Sequence, residues 1–485
     1  MPATRTARSS TLTVAVAAAV LLTTCTGLAW AGPASGPAGG RGNGEHAGDL
    51  QRYADTSADA YEAALEAFVW GAPLVTMNRT RARLTCLAAA NRMLNVPRLS
   101  TPADRTVVMP NVDTLYSTAW LDLRHGPVSL DVPAMPADRY YVFQFIDMYT
   151  NTFANIGSRT TGQGPARFLV AGPGWRGRAP AGTTLLRSPT PDVWLLGRTL
   201  VRGPDDVANV VALQRGYVLT PPVAPVPPPA QECANLKDPQ DLVTQGPAFY
   251  DELGRVMAAD PPPARDRALV RRLARAGIGP VPAPGPTRRP SPASSADPAV
   301  LDGLARGLAA GDALVARAAA ATPSPVGGWT TNRDIGAYGA RYVTRALVAR
   351  VGLAANVAEE SVYYRAQQDA AGLPLDGRGS YRLHLPAGGF PGHGPLGFWS
   401  LTMYDRAHFL VDNPIDRYSI GDRTPGVVRN LDGSLDLWIS ATPPAGHESN
   451  WLPAPATPFF LSLRVYLPSD AVLTQEWQPP AIERL

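Results

Sequence analysis

Two carboxylates stand in segments that are otherwise aromatic and aliphatic. In PNVDTLYSTAW (110–120), Asn111 and Asp113 lead into Leu115, Tyr116 and Trp120; in YYVFQFIDMY (140–149), Asp147 shares a face with Tyr141, Phe143, Phe145 and Tyr149. Two acids held together near aromatic walls have their pKa values driven apart, one serving as general acid and the other as base or nucleophile toward a sugar or amide bond. Asp113 and Asp147 are therefore the acid/base candidates. Asn111 and Arg159 have donors that would position a substrate, with Tyr116 and Tyr149 beside them. Trp399, Tyr404 and Arg417, from a second polar and aromatic set, would add a stacking wall and a further donor. The same residue types also have a structural reading, because Asp and Asn bond backbone groups left over at turns and sheet edges. The chemistry needs Asp113 and Asp147 to meet; capping does not.

Other chemistries lack their residues. GPGWRG (172–177) matches a dinucleotide-binding glycine pattern, but Pro180 and Gly182 stand where its helix should run, so it reads as a turn. No nucleophile elbow, phosphate loop or paired-cysteine motif occurs, and the 6 histidines are scattered, so neither a metal nor a cofactor is expected. The net charge is +4, and the 44 basic residues include a single lysine, Lys237, with no basic block, which argues against nucleic acid as a partner.

The elements that must position these residues follow from periodicity. With 485 residues the chain is long enough for two or three domains. Residues 1–31 read as an export signal, with Arg5 and Arg8, an apolar run from Leu12 to Leu22, and Ala29-Trp30-Ala31 as the cleavage site; Cys25 offers a rival lipoprotein reading. A secreted mature chain is expected, with no transmembrane span. Residues 32–48 form a Gly/Pro-rich leader expected to be disordered. From Ser57 to Gly71-Ala72-Pro73 the pattern is helical, and from about 106 to 201 it turns to period two. A helical middle follows, interrupted by proline-rich stretches at 221–230 and 280–292, with an N-cap expected at Asp238-Pro239. Further helices are expected over 297–321 and 337–351. Asn356 and Glu359 suggest a capping box for one more over 357–370. Strand periodicity returns from Gly379; in PFFLSLRVYLP, Phe459, Leu461, Leu463 and Val465 share one face, opposite Phe460, Ser462, Arg464 and Tyr466. Cys86 and Cys233 remain after cleavage, as a disulfide or as two buried thiols.

Several of these stretches resemble known domains. AFVWGAPLVTMNRTR, PNVDTLYSTAWLDL, DRYYVFQFIDMYTNTFANIGSRTTG and VWLLGRTLVRGPDD together resemble domain of unknown function 1254. GFWSLTMYD, DNPIDRYSIGDR, NLDGSLDLWIS and NWLPAP resemble domain of unknown function 1214. The resemblance implies jelly-roll sandwiches with helices between them and carries no established activity. Relatives commonly place two asparagines before the aspartate, where this chain has Asn111-Val112-Asp113. The expectation is a mainly β fold with helical insertions (α+β), two jelly-roll-like β-sandwich domains packed side by side, spanning 49–220 and 336–485, with connectors and helices over 221–335. The expected function is binding, with hydrolysis left open, of a polar small molecule or glycan in a cleft between the sandwiches. The alternative is a non-catalytic envelope or assembly protein whose jelly rolls make homo-oligomer contacts.

Overall fold

Alternation of side chains along strands builds both halves of the molecule. The structure, a computed structural model, describes residues 43–105, 108–281, 295, 297–320 and 325–485; the expected export signal and most of the leader lie outside them. Residues 51–485 form the unit considered below.

A long helix, α1 (Asn43–Leu87), precedes nine strands. These are β1 (Leu94–Asn95), β2 (Thr114–Asp122), β3 (Val128–Val132), β4 (Tyr141–Asp147), β5 (Thr152–Gly157), β6 (Ala166–Ala171), β7 (Thr183–Arg187), β8 (Asp192–Leu200) and β9 (Val218–Thr220). They pair as a five-stranded sheet, β1-β2-β8-β4-β5, and a four-stranded sheet, β7-β6-β3-β9. Leu121, Leu130, Phe143, Phe168 and Leu195 fill the space between them. On β2 and β8 the alternate positions Trp120 and Trp194 face outward and stack on each other, with ring centroids 5.5 Å apart. They are covered by helices α4 (Ala248–Ala259), α5 (Arg267–Arg275) and α6 (Pro298–Ala320), together with α1. The shorter α2 (Val207–Gln214) and α3 (Ala230–Ala234) precede this group and α7 (Tyr342–Val351) follows it.

The second sandwich comprises β10 (Trp329–Thr331), β11 (Ser361–Ala366), β12 (Tyr381–Leu385), β13 (His393–Asp405), β14 (Ser419–Gly421), β15 (Leu435–Ser440), β16 (Trp451–Pro453), β17 (Phe459–Pro468) and β18 (Ile482–Arg484), with a short helix α8 (Asp470–Leu473). A five-stranded sheet, β10-β11-β17-β13-β14, packs on a four-stranded one, β16-β15-β12-β18, around Leu383, Leu401, Leu437, Leu461 and Leu463. The fold is thus α+β, with two sandwiches apposed through their five-stranded sheets. Tyr140, Val142 and Leu200 of the first pack on Phe398 and Tyr466 of the second. Strands β4, β8 and most of β17 are consequently buried on both faces.

Local signals and tertiary context disagree in a few places. The leader gives way to helix at Asn43, and α1 runs through Gly71-Ala72-Pro73 to Leu87 rather than ending there. Pro73 has no N–H for the Val69 carbonyl four residues back; at the next carbonyl, that of Trp70, Arg345 from α7 donates a hydrogen bond. The close approach of α6 to α1 depends on Gly303 and Gly307, where an added Cβ would lie 2.4 Å from the Ser57 carbonyl oxygen and 2.5 Å from the Ala64 Cβ. Asp238 caps no helix; its carboxylate accepts from the Gln240 N–H at 2.9 Å in a local turn. The helix expected over 357–370 does not form, and Ser361–Ala366 is instead strand β11. Its alternating Val362, Tyr364 and Ala366 enter the sandwich core, and that burial outweighs the capping signal at Asn356. Cys86 and Cys233 form a disulfide, Cα–Cα 5.7 Å.

Candidate functional site

The segment that enters β2 is a buckle between the two sandwiches. Asn111 accepts at Oδ1 from the N–H groups of Asp113 and Thr114, each at 2.9 Å, which turns the chain into the strand. That turn aims Asp113 across the interface, where its carboxylate accepts from Ser400 Oγ at 2.7 Å and from Arg423 Nη2 at 2.8 Å. Immediately before it, the Pro110 carbonyl accepts from the Tyr404 hydroxyl at 2.6 Å and the Met109 carbonyl from Arg464 Nη2 at 2.9 Å. Val112 packs against Tyr404, Leu410 and Phe460.

Asp147 lies elsewhere. Asp113 flanks the Leu200 end of β8, its carbonyl accepting from the Val201 N–H, whereas Asp147 pairs with Val193. At about 3.3 Å per residue the eight residue steps from Val193 to Val201 separate the two by roughly 25 Å. Paired glycosidic carboxylates need no more than about 9.5 Å, so the expected acid/base pair does not form. Asp147 accepts from the Asn151 N–H at 2.8 Å in a turn. Burial pushes its pKa up to about 6, against the lowering effect of the Asn151 bonds.

The remaining candidates divide. Asn111 and Tyr116 line a shared cavity, with the Asn111 amide donating to the Tyr116 hydroxyl at 2.8 Å. Tyr149 is in the helical core, donating to the Asp260 carbonyl at 3.0 Å. Arg159 is paired with Glu360 at 2.7 Å, and Glu360 also accepts from Tyr140 at 2.9 Å, a second buckle between the sandwiches. Trp399 points into the core of the second sandwich, so it forms no stacking wall. Tyr404 is fully buried behind Arg464, to which its hydroxyl is bonded at 2.7 Å, and burial raises its pKa to about 12. Arg417 donates to the carbonyls of Glu448, Ser449 and Trp451 and tethers a loop.

The cavity, about 570 Å³, lies between the two five-stranded sheets, closed at its sides by the end of α1, by α7 and by the loop after it. Most of its wall is aliphatic, from Leu84 and Leu87 of α1 through Leu196 of β8 to Leu347, Val348 and Val351 of α7. Leu87 is 66% exposed and marks a mouth beside the Cys86–Cys233 disulfide. The rest of the wall is polar, and its arginines were not singled out from sequence. Arg198 comes from β8, Tyr363 and Arg365 from β11, and Ser462, Arg464 and Tyr466 from β17. Period two could have found the last three, since they alternate with the core-facing Leu461, Leu463 and Val465 on a strand apolar on both sides. Tyr363 and Arg365 were hidden by the helical reading of their segment. Burial pulls the pKa of Arg365 down to about 10. Burial and the nearby Arg365 pull that of His408 down to about 4, leaving it neutral at pH 7. Among the described residues no cluster of His, Cys, Asp or Glu is arranged to hold a metal ion.

Two apposed β-sandwiches with a ligand-sized, arginine-bearing pocket open between them define a double-sandwich protein. The chain matches two family models, each described as a protein of unknown function: DUF1254 over residues 90–221 and DUF1214 over residues 360–470. Among solved structures, the VPA0106 protein from Vibrio parahaemolyticus superposes with a TM-score of 0.64 at 22% identity, covering 88% of this chain and 100% of that one. That likeness extends to the fold. An uncharacterized protein from Burkholderia cenocepacia gives a TM-score of 0.44 at 13% identity, over 90% of this chain and 95% of its own. No curated protein matches the chain.

Proposed function

We propose that the protein binds a small, largely apolar organic molecule in the cavity between its two sandwiches. One observation carries this reading: the outer faces of two sheets, which would otherwise close on each other, stand apart around about 570 Å³ of space. That volume falls within the roughly 300–1,000 Å³ of pockets that enclose drug-sized ligands. The aliphatic wall favours an apolar body over the polar or glycan-like substrate expected from sequence. Binding is favoured over hydrolysis, because the one carboxylate among the described lining residues, Asp104, is held by Arg98 at 2.7 Å. Export of the mature chain belongs to the same reading and is supported by the disulfide, which suits an oxidising compartment. Mass determination of the mature N-terminus tests export: a chain that retains residues 1–31 refutes it.

The binding reading is tested with a neutral fluorescent probe, N-phenyl-1-naphthylamine. Saturable uptake is expected, and Leu347→Trp, which puts an indole into the cavity, is expected to abolish it while leaving the circular dichroism spectrum intact. Absence of uptake by the native protein, or uptake unaffected by Leu347→Trp, refutes the reading.

A further inference from the structure

The polar part of the cavity wall is a lattice across adjacent strands. Arg365 of β11 is directly opposite Ser462 of β17, and Tyr363 is opposite Arg464. Arg464, 3% exposed, has only neutral partners: Thr402 Oγ1 at 3.0 Å, the Met109 carbonyl at 2.9 Å and the Tyr404 hydroxyl at 2.7 Å. Arg198 across the cavity donates to the Gln144 side-chain oxygen at 2.8 Å and the Ala354 carbonyl at 3.0 Å. Arg365 lies over the Phe460 ring at 4.0 Å and approaches His408 Nδ1 at 3.4 Å. With its amide oxygen turned inward, Gln367 accepts from Arg365 Nε and Nη2 at 3.1 and 3.2 Å. That leaves Nη1 of Arg365 without a partner among the described residues. Beside it, the fully buried Ser462 hydroxyl is unpartnered, as is the Thr331 hydroxyl, also on the wall.

Buried guanidinium groups are costly unless an anion faces them; Glu360 and Asp113 act on Arg198 and Arg464 without forming ion pairs with them, whereas burial alone acts on Arg365, which is the uncompensated group. Four arginines line the cavity against the single carboxylate of Asp104, which Arg98 already occupies. The unmet demand is for one compact anion with oxygen acceptors, next to an aliphatic chamber that offers nothing to a second charge.

The geometry points to an amphipathic organic acid as the ligand, its carboxylate accepting from Arg365 and Ser462 under the positive potential of Arg198 and Arg464, and its apolar body lying toward Leu196 and Leu347. This rests on the cavity being a binding site. A planar guanidinium and a neighbouring hydroxyl suit the two oxygens of a carboxylate.

The test is displacement of N-phenyl-1-naphthylamine from the native protein by three compounds with one tail: decanoate, decan-1-ol and decyltrimethylammonium. Decanoate is expected to displace the probe at about tenfold lower concentration than the alcohol, with the cation weakest. Arg365→Gln should bring acid and alcohol to within about twofold of each other, and Ser462→Ala should weaken the acid by about threefold more than the alcohol. An alcohol as effective as the acid on the native protein overturns the acid assignment and leaves the binding reading standing. Failure of the probe to bind at all overturns the binding reading itself.

Discussion

Replacing Asp113 by alanine separates a buckle from a catalyst. The carboxylate is 6% exposed and holds Ser400 Oγ at 2.7 Å and Arg423 Nη2 at 2.8 Å, both from the other sandwich. Hydrogen bonds to charged groups contribute about 1.5–3 kcal/mol each, and stripping one partner from a buried pair costs about 3–5 kcal/mol. The Arg423 side chain is 23% exposed and keeps Asp422 at 3.3 Å, so the lower end applies, about 3 kcal/mol. Asp113→Asn retains an acceptor for Ser400 and loses the charge, for about half that. Urea unfolding followed by circular dichroism measures both, and a double-mutant cycle with Ser400→Ala should return a coupling of about 1 kcal/mol. An Asp113→Ala protein within about 0.5 kcal/mol of the native one would refute the buckle and return Asp113 to the list of chemical candidates.

Three further outcomes follow from the same structure. Gly307→Val should destabilise by about 1–3 kcal/mol by overpacking the α1–α6 contact, read as a lower unfolding midpoint; an unchanged midpoint would mean the helices can separate freely. Cys86→Ala with Cys233→Ala should cost about 2–5 kcal/mol by releasing a long loop in the unfolded chain, measured against the oxidised protein by chemical denaturation. Asp147 has a folded pKa raised to about 6, chiefly by burial. Its contribution is therefore fully present below its unfolded pKa near 4 and is lost as pH rises through 6. The stability of the native protein relative to Asp147→Asn should fall by up to about 3 kcal/mol between pH 4 and 7, and a flat difference would contradict the burial argument.

How much of this was legible in the chain varies by residue. The strands were, because a sheet buried on both sides needs apolar residues at every position, and Tyr141–Asp147 and Phe459–Pro468 announce that directly. β11 was not: Asn356 and Glu359 mimic a helix start, and only the neighbouring β17 and β10 make Ser361–Ala366 a strand. Of the candidate site residues, Asn111 and Tyr116 reach the cavity, while Trp399 turns to the opposite face of its sheet, an orientation one residue of register decides. The arginines escaped notice because an isolated Arg on a strand reads as solvent-facing until a second sheet covers it.

The sequence by itself determined the two sandwiches, the helical middle and the polar signature of PNVDTLY, since periodicity and turn chemistry act over a few neighbours. Whether Asp113 meets Asp147 or Ser400, and whether Arg198, Arg365 and Arg464 face water or a shared chamber, was decided only by the tertiary structure. These relations join residues up to 355 positions apart, as Met109 and Arg464 are. They depend on how two sheets come together, which no local pattern encodes.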